Sequence, residues 1–303
     1  MKLSHVLVAL MLLTSGPLNA QINWQTFDVP GATDTWIDGI DGANIVGSFW
    51  DETGLKGFQY NRQTEAFNIL QAPSTDWTLP LAISNGTIVG SLLGPPYSRR
   101  GFAYISASNS WSLLNPPEGV ENDLEAYGID GANIVGGTGR SGMSFVLNGS
   151  SWTFFNSPFG NGSSAEGISG SKIVGTYFDT EGMRLSGGYI KENDNWTLLN
   201  VSGARETIPR DVDGNSIIGQ FRVGDWNDGT RSFLFDGIDW TYLDAPLAKS
   251  TFAYGIDGNT IVGSYNDTSD VSHGFILTVP EPSALSLLAI GLGGLAMMRR
   301  RRS

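Results

Sequence analysis

Apolar residues along this chain come in short runs that alternate with polar positions, and the runs return at a nearly constant interval. The segment Ile45-Val46-Gly47 recurs as Ile88-Val89-Gly90, Ile134-Val135-Gly136, Ile173-Val174-Gly175, Ile217-Ile218-Gly219 and Ile261-Val262-Gly263, at spacings of 43, 46, 39, 44 and 44 residues. Before each copy lies a turn pair: Asp41-Gly42, Asn85-Gly86, Asp130-Gly131, Ser169-Gly170, Asp213-Gly214 and Asp257-Gly258. Asn or Asp followed by Gly accepts the positive φ angles of a tight primed turn, so these pairs predict hairpins. One strand after each copy stands an aromatic, at Phe58, Phe102, Phe145, Tyr189, Phe233 and Phe275. A closing strand follows as Trp111-Ser112-Leu113-Leu114, Trp152-Thr153-Phe154-Phe155, Trp196-Thr197-Leu198-Leu199 and Trp240-Thr241-Tyr242-Leu243, with Phe67-Asn68-Ile69-Leu70 as a weaker version.

Each unit thus offers four short antiparallel strands, and a repeat of this length suits a propeller blade. The sixth unit stops after Phe275-Ile276-Leu277 without a Trp strand, while a spare one, Trp24-Gln25-Thr26-Phe27-Asp28-Val29-Pro30, stands before the first unit. An open solenoid has no need of that arrangement. A closed ring does, because the leading strand completes the last blade and removes exposed sheet edges. The predicted fold is all-β: a six-bladed β-propeller over residues 21–278, closed by its N-terminal strand, followed by a C-terminal hydrophobic helix. Gly47 and its equivalents interrupt an apolar strand, which predicts close approach of a neighbouring blade there.

The two ends read as addresses. Residues 1–20 open with Lys2, continue through the apolar run Val6 to Leu13, break at Gly16-Pro17 and end on Ala20, the pattern of a secretory signal peptide cut after Ala20. Residues 279–303 read Val279-Pro280-Glu281-Pro282, then an uncharged stretch from Ala284 to Met298, then Arg299, Arg300, Arg301 and Arg302. As a helix that stretch is about 22 Å long at 1.5 Å per residue, so snorkelling or local thinning must help it span a membrane, with the arginines held on the cytoplasmic side.

This tail resembles the PEP-CTERM sorting signal of Gram-negative bacteria in all three parts: the tripeptide, the hydrophobic helix and the arginine cluster. The resemblance implies recognition by an exosortase after passage through the secretion machinery, and cleavage near the tripeptide. It further implies release or attachment at the surface of exopolysaccharide-producing, biofilm-forming bacteria. Localisation is then the cell envelope or the extracellular space, with transient anchoring in the inner membrane by the helix. The same tail is sometimes labelled an ice-binding-protein C-terminal domain, a label shared by unrelated bodies. The repeats look like HAF-type extracellular repeats, marked by an Ile-Val-Gly strand followed by His-Gly-Phe. That element is intact at His273-Gly274-Phe275, close at Lys56-Gly57-Phe58 and Arg100-Gly101-Phe102, and altered at Met143-Ser144-Phe145 and Arg231-Ser232-Phe233. The HAF family implies no agreed activity.

Composition narrows the chemistry. The chain of 303 residues has no Cys, 18 basic and 30 acidic side chains and a net charge of −12. Without Lys2, the four terminal arginines and Glu281, 13 basic and 29 acidic residues remain, a net charge of about −16. Disulfides, thiolate metal sites and cysteine nucleophiles are excluded, and so much negative charge argues against nucleic acid, whose phosphates need Lys and Arg. The body holds one histidine, His273, at a repeat position also occupied by Lys56, Arg100 and Arg231, which makes a Ser-His-Asp triad a poor reading. G-x-S-x-G, H-E-x-x-H and the phosphate-binding glycine loop are all missing, so no catalytic residue is assigned.

The loops after the Ile-Val-Gly strands vary most in length and fall on one face of the ring, the usual place for function. They carry Trp50 with Asp51 and Glu52, Tyr97, Tyr177 with Asp179 and Glu181, Trp226 with Asp225 and Asp228, and Tyr265 with Asp267 and Asp270. Flat aromatics beside hydrogen-bond acceptors suit sugar rings. Trp50, Asp51, Tyr177, Asp179, Trp226, Asp228, Tyr265 and Asp267 are accordingly the candidate ligand-binding residues, against the alternative of ordinary solvated acidic loops. No cofactor is expected. Calcium is the only metal candidate, at Asp225-Trp226-Asn227-Asp228-Gly229, which lacks the full spacing of a calcium loop. Two functions fit: a non-enzymatic binding or structural component of the envelope or exopolysaccharide matrix, with polysaccharide or envelope protein as partner, or a secreted carbohydrate-active hydrolase or lyase using paired loop carboxylates.

Overall fold

The computed structural model describes residues 22–279 apart from 74–76, 95–97, 140–141, 179–184 and 225–227. Ala20, Pro280, Glu281, Pro282 and the arginines 299–302, with the apolar stretch before them, lie outside the described residues, as do Tyr97, Asp179, Glu181, Asp225 and Trp226. Trp24–Thr278 forms one compact unit.

A leading strand, β1 (Asn23–Phe27), precedes the first blade, which is β2 (Asp34–Asp41), β3 (Asn44–Asp51), β4 (Gly54–Asn61) and β5 (Ala66–Leu70). Blade two is β6 (Trp77–Ser84), β7 (Thr87–Gly94), β8 (Ser98–Ile105) and β9 (Ser110–Leu113). Blade three is β10 (Leu124–Asp130), β11 (Asn133–Thr138), β12 (Ser144–Asn148) and β13 (Ser151–Phe155). Blade four is β14 (Gly162–Ser169), β15 (Lys172–Phe178), β16 (Leu185–Glu192) and β17 (Asn195–Leu199). Blade five is β18 (Glu206–Asp213), β19 (Ser216–Arg222), β20 (Arg231–Phe235) and β21 (Trp240–Leu243). Blade six is β22 (Ser250–Asp257), β23 (Thr260–Asn266) and β24 (Ser272–Thr278), and β1 completes it, in the order β1-β24-β23-β22. The first strands of successive blades touch all the way round, and β2 meets β22 to close the circle. This is the six-bladed, N-terminally closed propeller that the repeat predicts.

The aromatic column explains the repeat. Phe58, Phe102, Phe145, Tyr189, Phe233 and Phe275 are all essentially inaccessible. Each packs against the closing-strand aromatic of its own blade: Phe102 on Trp111 at 5.2 Å, Phe145 on Trp152 at 5.1 Å, Tyr189 on Trp196 at 5.1 Å and Phe233 on Trp240 at 5.0 Å. In blade one Phe67 does this at 5.5 Å, and in blade six Trp24 reaches Phe275 at 4.9 Å. The spare strand therefore restores the aromatic pair its blade lacks, and such pairs add about 0.5–1.5 kcal/mol beyond burial.

Two glycine columns have different jobs, which corrects one expectation. A Cβ on Gly47 would run into the Trp36 carbonyl and lie 2.9 Å from the Ile37 Cα, both in its own blade. The cause is a bulge: the β2–β3 register slips between Ile37 and Gly39, and every other blade slips at the same place. Neighbouring blades come close at the glycine before the buried aromatic instead. A Cβ on Gly57 would meet Pro80 at 2.7 Å, on Gly101 Leu124 at 2.5 Å, and on Gly274 Ile37 at 3.0 Å. Where the sequence has serine there, the hydroxyl bonds across the gap. Ser144 Oγ lies 2.8 Å from Ser163 Oγ, and Ser232 Oγ donates to Thr251 O at 2.8 Å.

The hairpin turns are shifted by one residue in blade two. In five blades the positive φ sits on the first loop residue alone, as at Gly42 (56°), which is the II′ pattern. In blade two both Asn85 (50°) and Gly86 (75°) are positive, a type I′ turn, so Ser84-Asn85 rather than Asn85-Gly86 matches Asp41-Gly42. The six turns are then linked in a circuit that the repeat does not disclose. Asp41 accepts from Asn85 N (2.6 Å), Ser84 from Gly131 N (3.1 Å) and Asp130 from Gly170 N (2.7 Å). Ser169 accepts from Gly214 N (3.1 Å), Asp213 from Gly258 N (2.8 Å) and Asp257 from Gly42 N (2.6 Å). Each blade thus holds the next by one hydrogen bond until the ring returns on itself.

Candidate functional site

The bulges place one residue of each first strand on the propeller axis: Asp38, Leu81, Tyr127, Glu166, Arg210 and Tyr254. A bulge turns a side chain out of the pleat, and here it turns six of them inward. The residue after each bulge is small in five blades, Gly39, Ala82, Gly128, Gly167 and Gly255, because the strands crowd at the axis. A Cβ on Gly128 would sit 2.8 Å from Glu166 O, and one on Gly167 2.6 Å from the Asp211 Cα. Blade five alone carries a functional group at that position, Asp211.

Asp38, Leu81, Tyr127, Arg210 and Tyr254, with Gly39, Ala82 and Asp211, line a cavity of about 130 Å³ at the turn end of the axis. Arg210 donates to Glu166 Oε2 at 3.0 Å, and its guanidinium lies over the Tyr254 ring at 5.7 Å. Thr176 donates to the other Glu166 oxygen at 3.4 Å. From the other side, Tyr127 donates to Glu125 Oε1 at 2.8 Å, and Glu125 is ion-paired with Arg99. Burial alone would lower Arg210, but Glu166, Tyr254 and Tyr127 hold it above its ordinary value, so it stays charged.

Burial has the opposite effect on the acids. It pushes Asp38 up to about 7 against the pull of Arg210. Asp211 also rises to about 7 by burial, although Ile256 N (3.0 Å) and Val212 N (2.8 Å) both donate to it. Burial, with Glu125 adding to it, raises Tyr127 well above the usual phenol range, and burial raises Tyr254 as well. The axis therefore holds one permanent cation and two carboxyls that titrate near neutrality.

The described loop-face residues among those singled out in the sequence lie at the other end of the ring, spread over separate blades. Trp50 is 38% exposed and meets Trp77, itself 43% exposed, edge-on at 5.3 Å. Asp51 accepts from Lys56 Nζ at 2.6 Å and from Thr53 N and Oγ1, and these bonds hold its carboxyl down at about 2. Tyr177 packs on Phe159 at 6.0 Å. Tyr265 stacks on His273 at 5.2 Å and shares a 3.1 Å hydrogen bond with Thr26 of β1. Asp267 accepts from Val271 N (2.9 Å) and Ser269 N (2.7 Å), which together with His273 and Lys249 lower its carboxyl. Asp228 stands at the end of the blade-five loop, whose other candidate residue, Trp226, is outside the described set. Trp77 was missed because it opens a first strand, away from the loops that the length argument selected. No single side-chain type runs through the six axial positions, so no column marks them; the small residue that follows five of them is the periodic trace.

The PEP-CTERM protein-sorting motif matches residues 278–302, the tail alone. No curated protein matches the chain. Among solved structures, an acylaminoacyl peptidase from Pyrococcus horikoshii aligns at 8% identity and TM-score 0.55 over 86% of this chain and 47% of its own. This chain thus spans about half the length of that peptidase. The β-propeller domain of the Trilobed protease from Pyrococcus furiosus, described as having an open velcro topology, aligns at 8% identity and TM-score 0.51 over 81% of this chain and 94% of its own. The structure of YjhT aligns at 12% identity and TM-score 0.53 over 84% and 98%. Likenesses this distant establish the fold and nothing more. Tail and fold together define an exported, exosortase-sorted protein with a six-bladed β-propeller body. The HAF-type and ice-binding labels find no support.

Proposed function

We propose that the body is a non-enzymatic binding or structural component of the cell envelope or exopolysaccharide matrix, contacting its partner through the loop face. In this reading residues 1–20 direct secretion and the tail helix holds the chain briefly in the inner membrane. Exosortase then acts near Pro280-Glu281-Pro282. The contact residues are Trp50, Asp51, Tyr177, Asp179, Trp226, Asp228, Tyr265 and Asp267, and the ligand is a polysaccharide or an envelope protein.

The observation that carries the reading is the state of the loop-face acids. Asp51 commits both oxygens to an amide, a hydroxyl and a lysine of its own hairpin, and Asp267 commits Oδ1 to two amides of its own. A glycosidase needs two carboxyls facing each other across a bond, one of them protonated. Asp51 and Asp267, held low by local donors, are unsuited to the protonated role, yet they keep the loops in a fixed shape beside exposed Trp50. A glycan array on the purified protein tests this directly, with Asp51, Asp228 and Asp267 replaced one at a time. Graded loss of binding at several positions supports a binding surface. Turnover of a polysaccharide that collapses at one or two positions identifies the hydrolase or lyase instead.

A further inference from the structure

The axial cavity is unbalanced in charge. Six aspartates line it, Asp38, Asp41, Asp130, Asp211, Asp213 and Asp257, against a single cation, Arg210, which is already bound by Glu166. The four turn aspartates each use one oxygen on a neighbouring turn amide, and Asp211 uses both of its oxygens on backbone donors. Asp38 differs: it lines the cavity half-buried, its carboxylate receives no hydrogen bond from any described residue, and it interacts electrostatically with Arg210 and Tyr254. A half-buried carboxylate with no protein donor gains charge-assisted hydrogen bonds when a donor-rich cation arrives.

The lining also says which cation. Among the described residues no three acidic or histidine side chains lie close enough to hold a metal ion. The carboxylates are instead spaced around a space of about 130 Å³. An engineered cavity of roughly 150 Å³ admits benzene, so a guanidinium or alkylammonium group fits here. Tyr127 and Tyr254 supply aromatic faces, and Arg210 over Tyr254 at 5.7 Å already shows how a planar cation rests on one of them. We propose that this cavity binds one small organic cation, a guanidinium or primary ammonium group, entering from the turn face past Asp41, Asp130, Asp213 and Asp257 and seated on Asp38.

The cation competes with protons. Asp38 and Asp211 both titrate near 7, with Arg210, Glu166, Tyr127, Tyr254 and the turn carboxylates Asp41, Asp130, Asp213 and Asp257 as the other ionisable groups around the axis. Binding therefore tightens with pH and releases protons. The experiment is isothermal titration of the purified protein with methylguanidinium chloride at constant ionic strength, at pH 6 and pH 8, in buffers of different ionisation enthalpy. The expected result is saturable binding at one site, about tenfold tighter at pH 8, the ratio of ionised fractions for a carboxyl titrating near 7. Asp38→Asn should weaken it at least tenfold. Leu81→Arg places a second internal guanidinium on the same axial ring and should abolish binding in a protein that still melts cooperatively. Three results overturn the proposal: no saturable heat in the wild type, undiminished binding by Leu81→Arg, or calcium chloride binding at this site in place of methylguanidinium.

Discussion

Asp211 is the single non-small residue in the ring of residues that follow the bulges, and replacing it with Asn isolates the energetic effect of its charge. In the unfolded chain its carboxyl loses its proton near 3.8, whereas burial holds it protonated up to about 7 in the folded protein. Between those values the folded state binds more protons than the unfolded state, so this group lowers stability progressively as pH rises from about 4 to 7, and the full penalty persists above 7. A shift of roughly three units at 1.36 kcal/mol each sets an upper limit of about 4 kcal/mol, which relaxation and channel water will reduce. Asn keeps one acceptor oxygen for the two backbone donors, Val212 N and Ile256 N, and leaves the other unpaired at a cost of about 1 kcal/mol or more. The curves should therefore cross: Asp211→Asn is less stable than wild type by about 1 kcal/mol at pH 4 and more stable by about 1–3 kcal/mol at pH 8. Urea unfolding followed by tryptophan fluorescence across this range reads both ends. Parallel stability profiles for the two proteins would refute the assignment of a buried, neutral carboxyl on the axis.

Three further expectations rest on the repeat geometry. Gly47→Ala drives a methyl into the Trp36 carbonyl of its own blade, where backbone cannot yield, and should cost about 3 kcal/mol or more in urea unfolding; a loss below 1 kcal/mol contradicts the bulge account. Asp257→Ala removes the acceptor for Gly42 N, the circuit bond that joins the last blade to the first, and should lower stability by about 1 kcal/mol, more than Ser84→Ala, whose bond is longer at 3.1 Å against 2.6 Å. Leu92→Phe should add about 0.5–1 kcal/mol to the unfolding free energy, because it grows into an apolar groove of about 240 Å³ lined by Leu92, Phe102 and Trp111, at a position where blades one and five carry Phe49 and Phe221. A lower melting temperature for that variant contradicts the equivalence of the positions.

The fold was legible because it is written six times. A buried aromatic one strand beyond each Ile-Val-Gly segment and a missing Trp strand at the end, matched by a surplus one at the start, specify both blade number and closure. The tail was legible because a sorting signal is read as sequence. What period-two reasoning cannot reach is the axis, because a bulge adds a residue and moves its side chain out of phase with the strand. Asp38, Tyr127, Glu166 and Arg210 therefore look like polar interruptions rather than neighbours. The turn circuit was half visible: Asp-Gly pairs announce hairpins, but only the curvature of the ring brings one blade's carboxylate to the next blade's amide. The glycine of Ile-Val-Gly was assigned to a neighbouring blade for the same reason, since nothing in a one-dimensional pattern distinguishes a bulged carbonyl from an approaching strand. The candidate surface on the loop face follows from loop length, a weaker guide than repeated chemistry.

β1 closes the ring through Trp24, and a double-mutant cycle between Trp24 and Phe275 tests that contact across the two ends of the propeller. With Trp24→Ala, Phe275→Leu and the pair, urea unfolding should yield a coupling of about 0.5–1.5 kcal/mol, the value of a packed aromatic pair at 4.9 Å. Additive losses, with coupling indistinguishable from zero, would mean that the first strand does not complete the last blade.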